Sequence, residues 1–342
     1  MPPIVEDLTP SNRLIPVLSG MRPTGKLHLG NYWGALVPWI NLQNGGKHRC
    51  YFMVADLHAL TTGYEDTHNL SSDIHDMVLD WLAAGLDPEK SVMFIQSHVP
   101  EHSELALLFS MITPLGWLER IPTYKEQLRE ITGREITTHG FLGYPVLQAA
   151  DILIYKAQAV PVGEDQLSHL ELTQEIARRF NRLYGNVFPE PKAILGKTPK
   201  VPGLDGRKMS KSYGNSVELG DAPDVLWQKI QKMYTDPAKI KATDPGHPDG
   251  CVVFALHKIY NPHASDRQAE CLAGSVGCVA CKKDLLSRMD SLKEIQERRA
   301  VLAQKPGLVQ EVLREGTRQA RAVARQTLDD VQSAMGLRRF SI

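Results

Sequence analysis

Two glycine-rich segments that contain lysines lie far apart in the chain. Residues 19–31 read SGMRPTGKLHLGN, and the helical spacing of the apolar residues after them predicts a helix that begins near Leu29. The unpaired N–H groups at the start of such a helix favour an anion, and Lys26 and His28 supply further donors. This segment predicts a phosphate site, although alone it also fits an ordinary strand–helix turn. The second segment, GRKMSKSYGN at residues 206–215, carries Lys208 and Lys211 on a Gly- and Ser-flanked loop.

A group of cysteines lies closer to the end of the chain, with the spacing C-x19-C-x6-C-x2-C. They are Cys251, Cys271, Cys278 and Cys281. In a reducing compartment, such a group indicates metal binding before disulfides. The spacing alone fits a structural zinc site at least as well as an iron–sulfur cluster. Cys50 lies within an apolar run and is expected to be a core residue.

The elements that must position these residues alternate along the first part of the chain. Apolar runs at 14–18, 50–56 and 91–96 predict buried parallel strands, with a helix at 69–82 between two of them. Another short strand and a turn are expected at 160–166. This alternation predicts an α/β fold with a Rossmann-type, doubly wound parallel sheet. Functional residues of such sheets gather where the strands end.

Further helices are expected at 104–112, 123–131, 141–156 and 167–183, followed by loop-like sequence at 185–206. Beyond Asp221 the pattern is helical and charged. The predicted division is a leader at 1–13, a catalytic domain at 14–220 and a helical domain at 221–342, whose last helix could pack back on the first domain. The HVPEH sequence at 98–102 formally matches a zinc-peptidase motif, but Pro100 instead predicts a loop that enters a helix at about Glu101.

Composition excludes several classes of protein. The formal net charge of the 342 residues is zero, so global charge does not indicate a nucleic-acid partner. The arginine-rich stretches at 178–182 and 314–325 are interpreted as solvated helix faces rather than RNA-binding patches. The sequence lacks a signal-peptide pattern and an apolar run long enough for a membrane span, which predicts a cytoplasmic protein without a membrane partner. It also lacks the GxxxxGK[ST] loop of P-loop nucleotide hydrolases.

The pairing of HLGN at 28–31 with KMSKS at 208–212 resembles the two signatures of class I aminoacyl-tRNA synthetases. Asn31 replaces the final His of the usual first signature, a variant typical of the tryptophanyl branch. Residues 144–155 (YPVLQAADILIY), 160–166 (VPVGEDQ) and 169–181 (HLELTQEIARRFN) are similar to tryptophanyl-tRNA synthetases. Tyrosyl-tRNA synthetases are the same-class alternative. A synthetase-like RNA-binding or redox-sensing protein without catalysis is the alternative from another class.

The resemblance implies a two-step reaction. The carboxylate of L-tryptophan attacks the α-phosphate of Mg²⁺-bound ATP, and the tryptophanyl group then passes to tRNA(Trp). It also implies a homodimer and an anticodon-binding role for the helical domain. A subset of bacterial tryptophanyl-tRNA synthetases carries a [4Fe–4S] cluster at similarly spaced cysteines, so the resemblance favours this cluster over zinc.

The resemblance also assigns residues to roles. Those implied to bind ATP are Met21, Arg22, Gly30, Asn31, Asp165, Lys208, Met209, Ser210, Lys211 and Ser212. Those implied in catalysis are Lys26, His28, Lys125, Lys208 and Lys211, whereas Gln127 replaces a further lysine expected in the ATP site. Tryptophan would contact Asp151, Tyr144, Gln166, Gln148 and His58. Asp151 suits the indole, because an indole N–H is only a donor and needs an acceptor.

Overall fold

The computed structural model of the chain describes residues 14–122, 137–196 and 199–337. The predicted leader, the predicted helix at 123–131, Lys125 and Gln127 lie outside these ranges. The described part contains a five-stranded sheet with the order β3-β2-β1-β4-β5. The strands are β1 Ile15–Met21, β2 His48–Val54, β3 Ser91–Ile95, β4 Ala159–Val162 and β5 Lys192–Leu195.

All four strand pairings are parallel, which confirms the predicted α/β fold of the Rossmann type. Strand order reverses between β1 and β4, and ligands of open α/β sheets bind at such a switch point. The inner strand β2 is buried on both faces, as its continuous apolar sequence predicts. The signature residues that follow β1 are thus placed at the edge where a ligand is expected.

The helices surround this sheet. In the first part of the chain they are α1 Leu29–Asn31, α2 Val37–Asn44, α3 Asp56–Gly63, α4 Leu70–Ala84, α5 Glu101–Ser110, α6 Leu115–Leu118, α7 His139–Ile154 and α8 Leu167–Tyr184. They continue with α9 Pro223–Lys232, α10 Val252–Tyr260, α11 Ala264–Leu272, α12 Cys278–Arg288, α13 Asp290–Ala303 and α14 Leu308–Ala334.

Alternate side chains of the sheet enter two hydrophobic cores. Tyr51 and Met53 point into one core, which α5, α7, α8 and α14 cover. Cys50, Phe52 and Val54 point into the other, which contains α2, α4 and residues of α10, α12 and α13. Among the described helices after residue 222, all except α11 therefore share a core with the sheet.

The last helix packs directly on β3. A Cβ atom at Gly316 of α14 would lie 1.8 Å from the carbonyl oxygen of Met93, so only glycine fits at this contact. The arginines of α14 are paired with carboxylates rather than presented as a bare basic surface. Arg321 and Arg325 both donate to Glu101, at 3.0 and 2.9 Å. This pairing agrees with the interpretation of residues 314–325 as an ordinary helix face.

Two local features differ from the prediction. The sequence at 185–206 was expected to be loop-like, but it contains the edge strand β5, which is only four residues long and lies between prolines. The helix after the first signature also contains a π-helical turn at Tyr32–Leu36 between α1 and α2. Over the part of the chain that the structure describes, no helix is both long and apolar enough to cross a membrane.

Candidate active site

A cavity of about 990 Å³ opens where β1 and β4 end. It brings together residues that are far apart in the sequence and that were predicted to contact either ATP or tryptophan. The predicted residues that line it are Met21, Arg22, Asn31, His58, Tyr144, Gln148, Asp151 and Gln166. Lys208 and Lys211 are not among the described residues that line this cavity.

Asp151 lies at the bottom of the cavity and is 1% exposed. His102 Nδ1 donates to its Oδ1 at 2.6 Å, and His58 Nε2 donates to its Oδ2 at 2.7 Å. The amide of Gln96 donates to both oxygens, at 2.8 and 2.9 Å. Burial by itself raises the pKa of Asp151, but the hydrogen bonds from His102 and His58 outweigh it and lower the pKa to about 2. The cavity therefore contains a fixed negative charge with strong acceptor oxygens.

The second layer behind Asp151 is also buried and polar. His102 Nε2 lies 2.7 Å from the hydroxyl of Tyr155, whose ring stacks on Tyr51. Because the ring of His102 is bonded at both nitrogens, it has little freedom to turn. Asp56 holds the segment that follows β3, since its Oδ1 accepts from the backbone N–H of Ser97 at 3.0 Å. These contacts make the floor of the cavity rigid.

Tyr144 lies between two histidines near the cavity wall. Its hydroxyl is 3.2 Å from Nε2 of His169, and its ring meets that of His58 edge-on. Burial lowers the pKa of His169 to about 4, against the charge of Asp165. His169 is thus neutral at physiological pH, and it also lines the cavity.

The first signature forms a small capped helix start. The backbone N–H of Asn31 donates to Nδ1 of His28, and the backbone N–H of His28 donates to Oδ1 of Asn31 at 3.1 Å. Gly30 leaves room for this arrangement, because a Cβ there would lie 3.0 Å from the His28 ring. Burial, and after it the charge of Lys211, lower the pKa of His28 to about 4. His28 is therefore a neutral ring whose Nδ1 is already occupied.

The second signature lies on a loop that Asn215 organises. The Asn215 side chain accepts from the backbone N–H of Ser210 at 2.8 Å and donates to Asp205 at 2.8 Å. A Cβ at Gly203 would lie 2.2 Å from Nδ2 of Asn215, so this side chain needs the glycine. The loop ends in a 3₁₀ helix at Lys211–Tyr213, which contains Ser212.

Individual residues of the loop have different surroundings. Lys211 Nζ donates to the carbonyl oxygen of Thr24 at 2.8 Å, which places its charge beside the first signature. Met209 is 5% exposed and belongs to the hydrophobic core. Lys208 is exposed, and its carbonyl oxygen accepts from Asn215. The Lys211 charge therefore already reaches the first signature.

A short antiparallel ladder joins the two signatures. The backbone N–H of Leu29 donates to the carbonyl of Val217, and that of Leu219 donates to the carbonyl of Leu27, both at 2.9 Å. Between these bonds lies the bridge from His28 to Glu218. The loop bearing KMSKS is thus fixed to HLGN at its carboxyl end.

The remaining predicted residues lie at the margin of the site. Lys26 Nζ is 3.6 Å from Glu218 and its side chain is 63% exposed. Asp165 is exposed and accepts from Gln166 at 2.9 Å, so Gln166 lines the cavity while Asp165 faces solvent beside it. Lys125 lies outside the described residues.

The four predicted metal-binding cysteines, Cys251, Cys271, Cys278 and Cys281, surround a second cavity of about 30 Å³. The cations Lys239 and Arg267 and the ring of His257, 3.3 Å from Cys281 Sγ, lie beside these thiols. Burial raises the pKa of Cys251 and Cys271, and that of Cys281 to about 12. Within the described residues, no three His, Cys, Asp or Glu side chains are placed to hold a single metal ion.

Sequence reasoning missed several residues of the site. Gln96 and His102 bind Asp151, and His169 binds Tyr144, but no local pattern pairs residues so far apart in the chain. Two features of the sequence could have drawn attention to His102. It belongs to HVPEH, and the helix predicted to begin at about Glu101 places it in the first turn, as in the structure.

Residues 10–293 match the family model described as tRNA synthetases class I (W and Y). The tryptophan–tRNA ligase of Thermotoga maritima is 53% identical, over 94% of this chain and 99% of that protein. The ligase of Aquifex aeolicus is 45% identical, over 94% and 99%.

A solved structure agrees with these relatives. The tryptophanyl-tRNA synthetase of Campylobacter jejuni, solved with ADP and tryptophan, has a TM-score of 0.84 and 32% identity, over 94% of this chain and all of that one. The family model covers both the tryptophanyl and the tyrosyl branch. The relatives above are tryptophan–tRNA ligases, which places the chain in the tryptophanyl branch. The chain therefore belongs to the bacterial tryptophanyl-tRNA synthetases of class I, which are tryptophan–tRNA ligases.

Proposed function

We propose that the large cavity carries out both steps of the ligase reaction, with the tryptophan side chain at Asp151 and ATP at the two signatures. The observation that carries this proposal is the presence of Asp151 and Asn31 in one cavity. A charged acceptor for an indole N–H thus lies in the same space as a helix start suited to phosphate. No covalent enzyme intermediate is required, so the protein contributes positioning and charge stabilisation.

Asp151 would accept the indole N–H through Oδ2. Its oxygens already receive hydrogen bonds from His58, His102 and Gln96, and a carboxylate has about four acceptor positions. One donor must therefore yield to tryptophan. His58 is the candidate, because its side chain is 12% exposed and lines the cavity, whereas those of His102 and Gln96 are fully buried. In this assignment His58 holds the acceptor until tryptophan replaces it.

The amino-acid end of tryptophan would contact Tyr144 and Gln166, with Gln148 on the same wall. The neutral His169 supports the hydroxyl of Tyr144 without adding a positive charge next to the substrate ammonium group. Asp165, exposed beside Gln166, is available either to the ammonium group or to ATP. These side chains would direct the tryptophan carboxylate towards the nucleotide.

ATP would lie along the first signature, with its adenosine and phosphates near Met21, Arg22, Gly30 and Asn31 and near the donors Lys26 and His28.

Attack of the carboxylate on the α-phosphorus forms the acyl–phosphate bond and expels pyrophosphate. Lys208 and Lys211 would stabilise the negative charge on that leaving group. Lys211 must then exchange the Thr24 carbonyl for phosphate oxygens. Lys125 and the 208–212 loop are assigned to the same nucleotide.

Mg²⁺ is expected with ATP in a synthetase. Magnesium usually binds through substrate phosphates with one or two carboxylates and several waters. This suits the described residues, among which no group of three ligating side chains could hold a metal ion. We therefore assign Mg²⁺ to the phosphates of ATP rather than to a protein cage.

Tryptophan-dependent exchange of pyrophosphate into ATP tests the assignment of the first step, and charging of tRNA(Trp) tests the second. We expect both with tryptophan and little exchange with tyrosine. Preference for tyrosine would overturn the indole assignment of Asp151. Tight tRNA binding without exchange would instead indicate a synthetase-like binding protein.

We further propose that the four cysteines hold a [4Fe–4S] cluster. Supporting this, the four side chains surround one cavity with cations beside it, which suits thiolates. The cysteine spacing fits a structural zinc site at least as well, and the resemblance to cluster-bearing synthetases is what favours the cluster. When bound, it would supply a cross-link between the segments that carry Cys251, Cys271 and α12.

The domain division and assembly are also proposals. We assign residues 14–220 to catalysis and 221–342, which contain the cysteines, to the anticodon of tRNA(Trp), in a cytoplasmic homodimer. Supporting the dimer, Leu107, Met111 and Leu115 are all more than half exposed, and Met111 reaches 68%. Light scattering on wild type and Met111→Glu would test it, with a dimer and a weakened dimer as the expected results. A monomeric wild type would remove this assembly.

A further inference from the structure

Arg299, on α13 in the C-terminal part of the chain, binds Asp80 of α4, which in turn binds the residue before the first signature. We infer that Arg299 is a positioning residue for adenylate formation, which acts by holding HLGN and the end of the KMSKS segment in register. This inference rests on the proposed ATP site. It adds a residue that lies in neither signature and comes from the helical part.

The path from Arg299 to the signature has one intermediate. Its Nε donates to Asp80 Oδ1 at 2.6 Å, and its terminal nitrogen donates to Asp76 at 3.1 Å. The other oxygen of Asp80 accepts from the backbone N–H of Leu27 at 3.3 Å. Leu27 immediately precedes His28, so the guanidinium orients the carboxylate that fixes the start of the signature.

Arg299 also lies beside the chain segment that follows KMSKS and pairs with the first signature. The ladder between residues 27–29 and 217–219 is followed directly by Gly220, where a Cβ would lie 3.3 Å from Nε of Arg299. Leu27, Leu29, Val217 and Leu219 are all at most 2% exposed, so the ladder is packed as core. The guanidinium therefore lies beside the end of one segment of the ladder and is connected to the other through Asp80.

Burial makes this carboxylate sensitive to its partner. Asp80 is 1% exposed, and burial raises its pKa, which Arg299 opposes. Without the guanidinium, an ionised Asp80 would be a buried charge with one backbone donor, an unfavourable arrangement. Its neutralisation would weaken the bond to Leu27 and remove one of the negative charges near Lys211. Both effects fall on the ATP side of the cavity, away from Asp151.

The test compares Arg299→Gln with Arg321→Gln in pyrophosphate exchange. Arg321 is a matched control, since it also joins a C-terminal helix to a buried carboxylate, Glu101, but does so away from the signatures. We expect Arg299→Gln to lower kcat/KM for ATP by about tenfold or more, with tryptophan KM and binding within about twofold. Arg321→Gln should lower the melting temperature and leave kcat/KM for ATP unaffected, and any effect on a substrate should fall on tryptophan, because Glu101 directly precedes His102.

Arg299→Lys keeps the charge but loses the two-pronged contact with Asp76 and Asp80. It should therefore restore part of the kcat/KM for ATP that Arg299→Gln loses, and it provides a variant that folds. A purely structural role would lower the melting temperature and leave the ATP parameters unchanged, or would affect ATP and tryptophan equally. Either result overturns this inference. A wild type without tryptophan-dependent exchange would instead overturn the proposed function of the cavity.

Discussion

His102 Nδ1 lies 2.6 Å from Oδ1 of Asp151, and neither side chain is more than 1% exposed. The hydrogen bonds from His102 and His58 keep the pKa of this carboxyl group low, and the amide of Gln96 also holds its oxygens in place. A fixed acceptor discriminates strongly against a ligand that lacks the matching donor, because the buried acceptor then loses its partner. Selection of tryptophan should therefore depend on both His102 and Asp151 rather than on Asp151 alone.

The first prediction concerns Asp151→Asn. The amide keeps the shape, but its NH₂ group would face the indole N–H or the donors of Gln96 and His102. An unpaired buried polar group costs ~1–3 kcal/mol, so kcat/KM for tryptophan in pyrophosphate exchange should fall tenfold or more. The benzothiophene analogue of tryptophan, which lacks the N–H, should lose less. Equal losses for both compounds would show that Asp151 does not contact the indole nitrogen.

Two substitutions at His102 should reduce the preference for tryptophan over the benzothiophene analogue to different extents. His102→Gln retains a possible donor towards Asp151, whereas His102→Leu removes it. We expect discrimination between tryptophan and the benzothiophene analogue to narrow more in the leucine variant than in the glutamine variant. The measurement is the ratio of their kcat/KM values. A ratio that stays at the wild-type value in both variants would reduce His102 to a packing role.

The second prediction concerns Lys211. If its amine stabilises charge on the departing pyrophosphate, Lys211→Ala should slow adenylate formation by roughly 10²–10³. Tryptophan affinity should hardly change, because a contact used in the transition state does not contribute to ground-state binding. Lys232→Ala, at an exposed lysine of α9, is the control. Single-turnover kinetics measures the effect, and a near-normal rate would remove the assignment.

The same variant has a second readout that is independent of activity. Lys211 lowers the pKa of His28 through its charge, in addition to the larger effect of burial. Lys211→Ala should therefore raise the pKa of His28 towards, but not up to, its ordinary value of 6.5. An NMR titration of the His28 ring checks this. An unchanged pKa would mean that the lysine is farther from the first signature in solution.

The third prediction is a pH dependence of stability. Because the pKa of His169 is about 4 in the folded chain and 6.5 ordinarily, the unfolded chain binds more protons between these values. Stability should be complete above about pH 6.5 and fall as the pH drops towards 4. This histidine should account for roughly 1–2 kcal/mol of the loss between pH 7.5 and 5.

Urea unfolding of wild type and His169→Gln at both pH values measures that contribution. The variant should lose less stability on acidification than the wild type. His263→Gln, at a histidine whose side chain is 72% exposed, is the control and should behave as the wild type. An identical loss in wild type and His169→Gln would contradict the depressed pKa.

The parts of the fold that sequence predicts are those that local patterns encode. The near-continuous apolar run of β2 predicts a buried parallel strand, and the helix predicted at 69–82 corresponds to α4. Asp151 is predicted because the segment 144–155, an otherwise apolar helix, resembles tryptophanyl-tRNA synthetases. β5 is missed because four residues between prolines carry too little pattern to distinguish a strand from a loop.

The supporting contacts are less accessible to sequence reasoning. Arg299 and Asp80 are 219 positions apart, and His102 and Asp151 are 49 apart. Each residue alone is an ordinary polar side chain on a helix, and its role depends on which helices pack together. The sequence thus indicates candidate site residues, but the residues that hold them in place follow only from the packing of α4 with α13 and of α5 with α7.

The last prediction concerns the cysteines. Protein purified without oxygen should be brown and contain about four iron and four sulfide per chain. Cys278→Ser should abolish both, whereas Cys50→Ser, at a core cysteine outside this group, should retain them. Loss of a metal cross-link loosens the segment it held, so charging of tRNA(Trp) should weaken in Cys278→Ser.

Adenylate formation should survive that change better than charging, because the residues assigned to contact ATP or tryptophan precede residue 213. The opposing influence is a backbone path: Val252 donates to the carbonyl of Tyr234, and Tyr234 donates to that of Leu204, which precedes the KMSKS segment. Equal loss of both steps would show that this path transmits the damage to the KMSKS loop. Colourless anaerobic protein with one zinc per chain would replace the cluster by a structural zinc site.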